Sequence, residues 1–363
     1  MTFWIIVISF ALILSAAAIV FIAAHIHRFP FIGKIAEKNK ALSWVMSFGL
    51  ILPVGLFSLI NVTTMMVVLV HLAVGFVISD LLFFLIRKIS KKEASPVVSN
   101  LVAIILTVVY LAFGWVMANH VFVTKYSFST DKKLGENLRI VQIADSHIGI
   151  TLDGKDFANQ MERVSSYKPD IVVITGDFVD DETRYDDMVA ACKALGSIDA
   201  KYGVFFVFGN HDKGYYNSRD FTTDQLRQSL TDNGVVILED ECVLIDERFY
   251  IIGRQDRSVR NREEISKLVS GLDGSKYSIV LDHQPNDYDN EAAANVDLVL
   301  SGHTHGGHLF PLKWVGLLSG ANDWEYGTKV IGNTTFVVTS GISGWAIPFK
   351  TGCYSEFVVI DIK

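Results

Sequence analysis

Cysteine is scarce. Cys192, Cys242 and Cys353 are the three in 363 residues, and none forms a C-x-x-C pair. So sparse and odd a set provides no disulfide framework, and each reads as a small buried hydrophobe. The sequence also lacks a basic tail and any DNA- or RNA-binding signature, so no nucleic-acid partner is expected. No G-x-S-x-G elbow and no Walker A loop are present, which removes a serine nucleophile of that kind and a P-loop nucleotide site. No basic residue precedes the first apolar stretch, which therefore reads as a retained anchor rather than a signal peptide. There is no internal repeat and no low-complexity tract.

What is present is divided unevenly. Residues 1–124 hold eight Lys/Arg and three acidic residues (Glu37, Asp80, Glu93), a net of +5. Residues 125–363 hold 24 basic and 36 acidic residues, a net of −12, and the two parts sum to −7. The expectation is a transmembrane region over residues 1–122, a linker over 123–137 and an acidic α/β domain over 138–363. Four stretches have the length and the lack of charge of membrane helices: Phe3–Ala24, Leu42–Asn61, Met65–Ile86 and Val97–His120. The second and third are joined by little more than Val62-Thr63-Thr64, a hairpin. Arg28, Lys34, Lys38 and Lys40 lie between the first pair, and Arg87, Lys88, Lys91 and Lys92 between the last pair. The positive-inside rule places both loops in the cytoplasm, so the carboxyl-terminal domain is expected outside. His71 and Asp80, inside the third span, are read as making interhelical hydrogen bonds or, for Asp80, as lying near the interface. Tyr110 and Trp115 in the fourth span are read as packing or interfacial residues.

From Leu138 the pattern changes to short apolar runs between helical and turn-rich segments. Leu138–Ala144, Ile171–Thr175, Val204–Phe208, Tyr277–Leu281 and Val296–Leu300 read as buried strands, with further strands at Phe249–Ile252, Thr335–Thr339 and Glu356–Ile362. Helices are expected at Phe157–Tyr167, Tyr185–Ser197, Thr223–Asn233 and Arg262–Ser270. The fold class is α/β.

The strand ends carry the chemistry. After successive strands come Asp145-Ser146-His147, Gly176-Asp177, Gly209-Asn210-His211-Asp212, Asp282-His283-Gln284-Pro285 and Gly302-His303-Thr304-His305. Carboxyl ends of strands are where α/β sheets place ligands. Six of the ten histidines lie after residue 138, and five of those six fall in these motifs. Imidazole and carboxylate ligands with one amide oxygen suit Mn²⁺, Fe or Zn²⁺. Seven candidates, Asp145, His147, Asp177, Asn210, His283, His303 and His305, exceed the need of one tetrahedral site. They match two metals sharing a carboxylate, about 3.5–4 Å apart, which clamp an in-line displacement and activate a water.

In this order and context the motifs D-x-H, G-D, G-N-H-D, H and G-H-x-H resemble the calcineurin-like metallophosphoesterases, from about Leu138 to the end. The His-Gln-Pro and Gly-His-Thr-His-Gly-Gly contexts resemble a membrane-attached bacterial branch related to UDP-2,3-diacylglucosamine pyrophosphatases. The resemblance implies a two-sheet sandwich flanked by helices and two divalent metals, Mn²⁺ first, with Fe or Zn²⁺ as alternatives. It assigns Asp145, His147 and His305 to one metal, Asn210, His283 and His303 to the other, and Asp177 to the bridge. His211 would contact the phosphate and protonate the leaving oxygen, oriented by Asp212, and Asn210 would also meet substrate. Imidazole suits that acid role because it titrates near neutrality. Two departures stand out. His308 replaces a common Gln, as a rim histidine or a substrate contact, and Lys350 occupies the neighbourhood of a common arginine, which grips phosphate differently.

Weaker signals are the arginines Arg254, Arg257, Arg260 and Arg262, read as a solvated loop in preference to a phosphate clamp, and Asp180-Asp181-Glu182, read as a solvated loop. Trp314, Trp324, Tyr326 and Trp345 are read as packing or as an apolar mouth facing lipid. The expected function is a membrane-anchored phosphoesterase or pyrophosphatase using metal-activated water on a lipid-linked or cell-envelope substrate, with membrane lipids as its surroundings. The alternative is a non-catalytic metal-binding receptor or scaffold on a membrane anchor.

Overall fold

The computed structural model describes residues 2–91, 95–215 and 218–363, with side chains from residue 9 onward. Lys92 and Glu93 of the third loop lie outside the described residues. Two compact units emerge, Met1–Phe113 and Gly114–Lys363.

The first unit contains α1 (Thr2–Ile26), α2 (Pro30–Lys38), α3 (Lys40–Gly49), a 3-10 helix over Leu52–Leu59, α4 (Val62–Ser90) and most of α5 (Pro96–Asn119). Among the described residues four segments are long and apolar enough to cross a membrane: Ser9–Ile26, Lys40–Leu59, Val62–Ser90 and Pro96–Asn119. The second is not one α-helix, as expected from its composition. Pro53 has no N–H to give the Gly49 carbonyl, so the α-helical ladder stops at Gly49 and the chain continues as 3-10 helix. Asn61 then caps α4, accepting from the Thr64 N–H at 2.7 Å. Asp80 does form an interhelical contact, with the buried His25 of α1, at 2.9 Å. His71 instead bonds the Val67 carbonyl in its own helix and stacks on Tyr110, ring centroids 5.7 Å apart. At Gly75, α4 and α5 approach so closely that an added Cβ would lie 2.2 Å from Thr107 Oγ1.

The second unit holds twelve strands in chain order among the described residues: β1 (Val121–Phe128), β2 (Leu138–Ile143), β3 (Ile171–Thr175), β4 (Val204–Val207), β5 (Val236–Ile237), β6 (Glu241–Ile245), β7 (Phe249–Gly253), β8 (Tyr277–Leu281), β9 (Leu298–Ser301), β10 (Gly327–Ile331), β11 (Thr334–Val338) and β12 (Ser355–Ile362). Helices α6 (Gly154–Ser166), α7 (Tyr185–Gly196), α8 (Thr223–Asp232), α9 (Ile265–Leu268), α10 (Tyr288–Ala293) and α11 (Lys313–Ser319) complete it. One sheet runs β1-β12-β2-β3-β4-β5 and the other β10-β11-β9-β8-β7-β6. Within them β2, β3, β4 and β5 are parallel, as are β7, β8, β9 and β11.

Alternation along each strand sorts the core. Leu138, Ile140, Ile171 and Val173 face Ile251, Ile279, Leu298 and Leu300 between the sheets. Val141, Ile143, Val172 and Ile174 face the helices α6, α7 and α8. Burial on both faces explains why these strands read as unbroken apolar runs. The segment expected as a linker, residues 123–137, instead contributes most of β1, which pairs in parallel with β12. Its mixed charge reflects an edge strand with one open face. The helix expected over Arg262–Ser270 shrinks to Ile265–Leu268.

Candidate metal centre

Every motif singled out in the sequence ends at one place. Asp145 and His147 follow β2, Asp177 follows β3, Asn210 and His211 follow β4, His283 follows β8, and His303 and His305 follow β9. All are carboxyl ends of parallel strands, and they come from both sheets. The strand-end loops are stitched together: Asp145 N–H donates to the Gly176 carbonyl at 3.0 Å, and Gly302 N–H to that of His283 at 3.0 Å. Asp145, His147, Asp177, His303 and His305 all have φ between 36° and 72°. Such left-handed backbone in non-glycine residues costs about 1–3 kcal/mol each and clusters at functional sites. Glycine serves the approach: a Cβ on Gly302 would lie 2.6 Å from Ala144 Cβ and 2.9 Å from Asp145 Oδ2.

Among the described residues three groups of ligand atoms lie mutually within 4.8 Å: His147–Asp180–His211, in which Asp180 bonds both rings, and the two of interest here, Asp145–His147–His305 and Asp177–His283–His303. Asp177 Oδ2 lies between these two, 3.8 Å from His147 Nε2 and 3.1 Å from His283 Nε2. Its other oxygen, Oδ1, accepts from the His211 N–H at 2.8 Å.

Hydrogen bonding shows that these groups are shaped for cations. His283 Nδ1 lies 2.8 Å from the Thr175 carbonyl, which can only accept, so Nδ1 carries the proton. In a neutral ring Nε2 then points its lone pair at Asp177 Oδ2 and, at 3.2 Å, at Asn210 Oδ1. Three acceptors facing one point call for a positive charge. Burial alone would depress the His283 imidazole, but the charge and hydrogen bond of Asp177 hold it well above its ordinary range. His147 and His305 likewise face each other Nε2 to Nε2 at 3.2 Å, and His305 Nδ1 is buried without a partner. Burial, then the neighbouring His147, keep the His305 imidazole well below its ordinary range, and burial with His283 takes His303 down to about 4. Neutral imidazoles are the ligand form. The donor set therefore fits two divalent cations.

Asp180 is the residue that sequence reasoning missed. It is buried, and its two oxygens take His147 Nδ1 at 2.9 Å and His211 Nδ1 at 3.2 Å. Its place three residues after Asp177, behind the apolar Phe178-Val179, was the available signal: a turn that buries those two also turns Asp180 inward. Burial opposes ionisation of Asp180, yet its bonds to His147 and His211 hold its carboxyl well below the usual range. Asp212 does not orient His211, contrary to expectation. Its carboxylate accepts from the N–H groups of Asp177, Phe178, Val179 and Gly209 at 2.7–3.0 Å and so locks the β3 and β4 loops together. Burial pushes it up to about 6. For His211, burial is outweighed by the Asp180 hydrogen bond and the charges of Asp177 and Asp180, so its imidazole lies above its ordinary range.

Other expectations separate. Lys350 is buried and donates to the Ser340 and Gly341 carbonyls at 2.7 and 3.3 Å, out of reach of a phosphate role. Arg254 is not in a solvated loop: it is buried against Asp282, Asp287 and Glu291, and Arg262 also bonds Asp282. Arg257 and Arg260 are exposed as expected. Trp324 and Tyr326 pack into the domain, whereas Trp345 sits beside His211, ring centroids 5.6 Å apart. Tyr215 flanks the same ring at 5.0 Å and accepts from Asn210 Nδ2 at 2.9 Å. His308 is half-buried, its ring 5.4 Å from that of His305.

Comparison with known proteins agrees with this geometry. The profile of the calcineurin-like phosphoesterases matches residues 138–307. An uncharacterized metallophosphoesterase of Aquifex aeolicus is 31% identical over 66% of this chain and 91% of its own length. One from Helicobacter pylori is 32% identical over 63% of this chain and 61% of its own, and a Bos taurus transmembrane protein with metallophosphoesterase domain is 30% identical over 62% and 53%. The chain thus spans about three-fifths of the Helicobacter protein. A dimetal phosphatase structure from Danio rerio aligns at TM-score 0.38 and 13% identity over 57% of this chain and 87% of that one. With four apolar helices and transmembrane relatives, this is a membrane protein. By the profile match and the near-full-length similarity to the Aquifex protein, it belongs to the calcineurin-like phosphoesterase family.

Proposed function

We propose that the protein is a membrane-anchored, dinuclear-metal phosphoesterase that hydrolyses a phosphoester or pyrophosphate bond in a lipid-linked or cell-envelope substrate outside the cytoplasm. The observation that carries the hydrolase reading is the convergence of lone pairs from Asp177, Asn210 and His283 beside the facing pair His147–His305. Asp145, His147 and His305 would hold one cation, Asn210, His283 and His303 the other, and Asp177 would serve both. Mn²⁺ is the first choice for nitrogen–oxygen ligands of this kind, with Fe or Zn²⁺ as alternatives. When bound, such a pair neutralises phosphoryl charge and lowers the pKa of a water.

The chain's own residues supply the rest. His211 enters its substrate complex with Nδ1 engaged by Asp180, so Nε2 remains to give its proton to the leaving oxygen. The Asp180 hydrogen bond and the charges of Asp177 and Asp180 shift its imidazole above its ordinary range, the direction a proton donor needs and a receptor or scaffold would not. Asp180 fixes the ring's plane, and Trp345 and Tyr215 limit water around it. The basic loops Arg28–Lys40 and Arg87–Lys91 support an outside location for the domain. Anchoring supports a substrate at the bilayer surface.

The test is a Mn²⁺-supplemented screen of phosphomonoesters, diesters and pyrophosphates with purified full-length protein, run beside His211→Ala. Loss of the acid should lower turnover about 10²–10⁴-fold while metal content stays unchanged. Equal turnover removes the role given to His211, and a protein without bound metal removes the dinuclear reading.

A further inference from the structure

Among the described residues from 121 onward the exposed large hydrophobic side chains are Tyr185, Tyr215, Val236 and Val330, apart from one another, and six that crowd into one stretch: Phe310, Leu312, Trp314, Val315, Leu317 and Leu318. Single exposed apolar residues are ordinary, but a contiguous patch marks an interaction surface. We propose that residues 309–318 are a membrane-contacting segment that seats the lip of the metal centre in the bilayer interface. The phosphoester reaching the site would then belong to an amphiphile lying in that surface, a substrate assignment that rests on the phosphoesterase reading above.

Helix α11 is inside out for a helix in water. The residue facing the domain is Gly316, where an added Cβ would lie 1.9 Å from Glu325 Oε1 and 2.7 Å from Asn322 Nδ2. Lys313 packs its Cβ toward Gly307. Polar groups thus lie inward, while Val315 and Leu318, 58% and 86% exposed, lie outward. Trp, Phe and Leu with a lysine at the edge are the composition of interfacial segments, and Lys313 Nζ sits 5.0 Å over the Trp314 ring.

Its position in the second unit says what covers it. Phe310 N–H donates to Thr351 Oγ1 at 3.1 Å, and Thr351 N–H donates to the His308 carbonyl at 3.0 Å. The adjoining Lys350 N–H donates to the Gly114 carbonyl at 2.9 Å, and Ser355 Oγ to the Ala118 carbonyl at 2.8 Å. Gly114 and Ala118 are in the last turns of α5, a candidate span whose Trp115 and Val116 are exposed. The apolar stretch is therefore hydrogen-bonded, through one loop, to the end of a helix that reaches the edge of the bilayer. At its other end it begins just after His305 and His308, so whatever surface it enters borders the site.

The test uses the full chain in nanodiscs of phosphatidylethanolamine and phosphatidylglycerol, with a nitroxide on Leu318→Cys and, as the aqueous reference, on Val330→Cys. Relaxation by oxygen should be stronger, and relaxation by a water-soluble nickel chelate at least fivefold weaker, at 318 than at 330. Equal nickel accessibility overturns the membrane contact. In a second arm, a Val315→Asp/Leu318→Asp chain is given soluble bis(p-nitrophenyl) phosphate or hexadecyl p-nitrophenyl phosphate embedded in the nanodisc. Turnover of the soluble diester, which also reports correct folding, should be unchanged, and turnover of the embedded diester should fall at least tenfold. Equal effects on both overturn the substrate half. A wild-type chain that turns over neither compound overturns the substrate half, while the broader screen above decides the phosphoesterase reading and the nitroxide comparison decides the membrane contact, each by itself.

Discussion

At His283 a backbone carbonyl 108 positions earlier in the chain, that of Thr175, decides which ring nitrogen carries the proton and so which one is free for a ligand. Side-chain identity alone carries no such information. The same holds for Asp180 and Asp212, which have the same chemistry and opposite roles because one faces imidazoles and the other faces four amides. Glycine acts here by absence. Gly302 lets β9 pass against Asp145, and His303 N–H reaches both Asp145 oxygens at 2.9 and 3.0 Å. A methyl at that point collides with Ala144 and the Asp145 carboxylate, so the backbone carrying Asp145 has to shift. Gly302→Ala is thus expected to weaken Mn²⁺ binding about 10–100-fold, the usual range for a disturbed metal surround, with the fold intact by circular dichroism. Calorimetric titration gives the number, and unchanged affinity would mean the contact is relieved elsewhere.

Among the elements, β2, β3, β8 and β9 were legible because burial on both faces makes their sequences continuously apolar. Edge and hairpin strands were not: β1, β6 and β10 carry polar residues on an open face and look like loops. The second membrane segment was legible in length but not in form, since Pro53 changes the helix type without changing its hydropathy. Arg254 shows how a loop-like composition conceals a core element. Its guanidinium ties the end of β7 to Asp282 after β8 and to Glu291 on α10. Arg254→Met would leave the buried Glu291 without a counter-charge and Asp282 with Arg262 alone, at about 3–5 kcal/mol. A clearly lowered thermal midpoint of the detergent-solubilised protein is the expected outcome; a midpoint within error of wild type would show that the carboxylates are protonated or hydrated without it.

For the molecule as a whole, metal and fold should be linked, because the seven candidate ligands hang on five strands from two sheets. Cations that bind only the folded chain stabilise it by mass action, about 2.7 kcal/mol at a hundredfold excess over Kd. Chelation should lower the thermal midpoint by several degrees, and Mn²⁺ should restore it, with a midpoint that climbs with concentration. A midpoint indifferent to both would argue against a metal held by both sheets. Orientation is tested with Val330→Cys, an exposed position on β10. The native cysteines are buried or half-buried, so a membrane-impermeant maleimide should label the variant in intact cells and wild type little. Labelling only after lysis would place the domain in the cytoplasm.

The amino-acid sequence by itself determined the division into an apolar and an acidic part, the buried strands, and the set of metal-ligand candidates, because each is a matter of local composition and periodicity. Only tertiary structure decided what those candidates face. It joined ligands from two sheets, set the tautomer of His283, paired His211 with Asp180, buried Lys350 and Arg254, and turned the apolar side of α11 outward. Those outcomes depend on groups far apart along the chain, and a hydrogen bond or an exposed face exists only once both partners have been brought to one place.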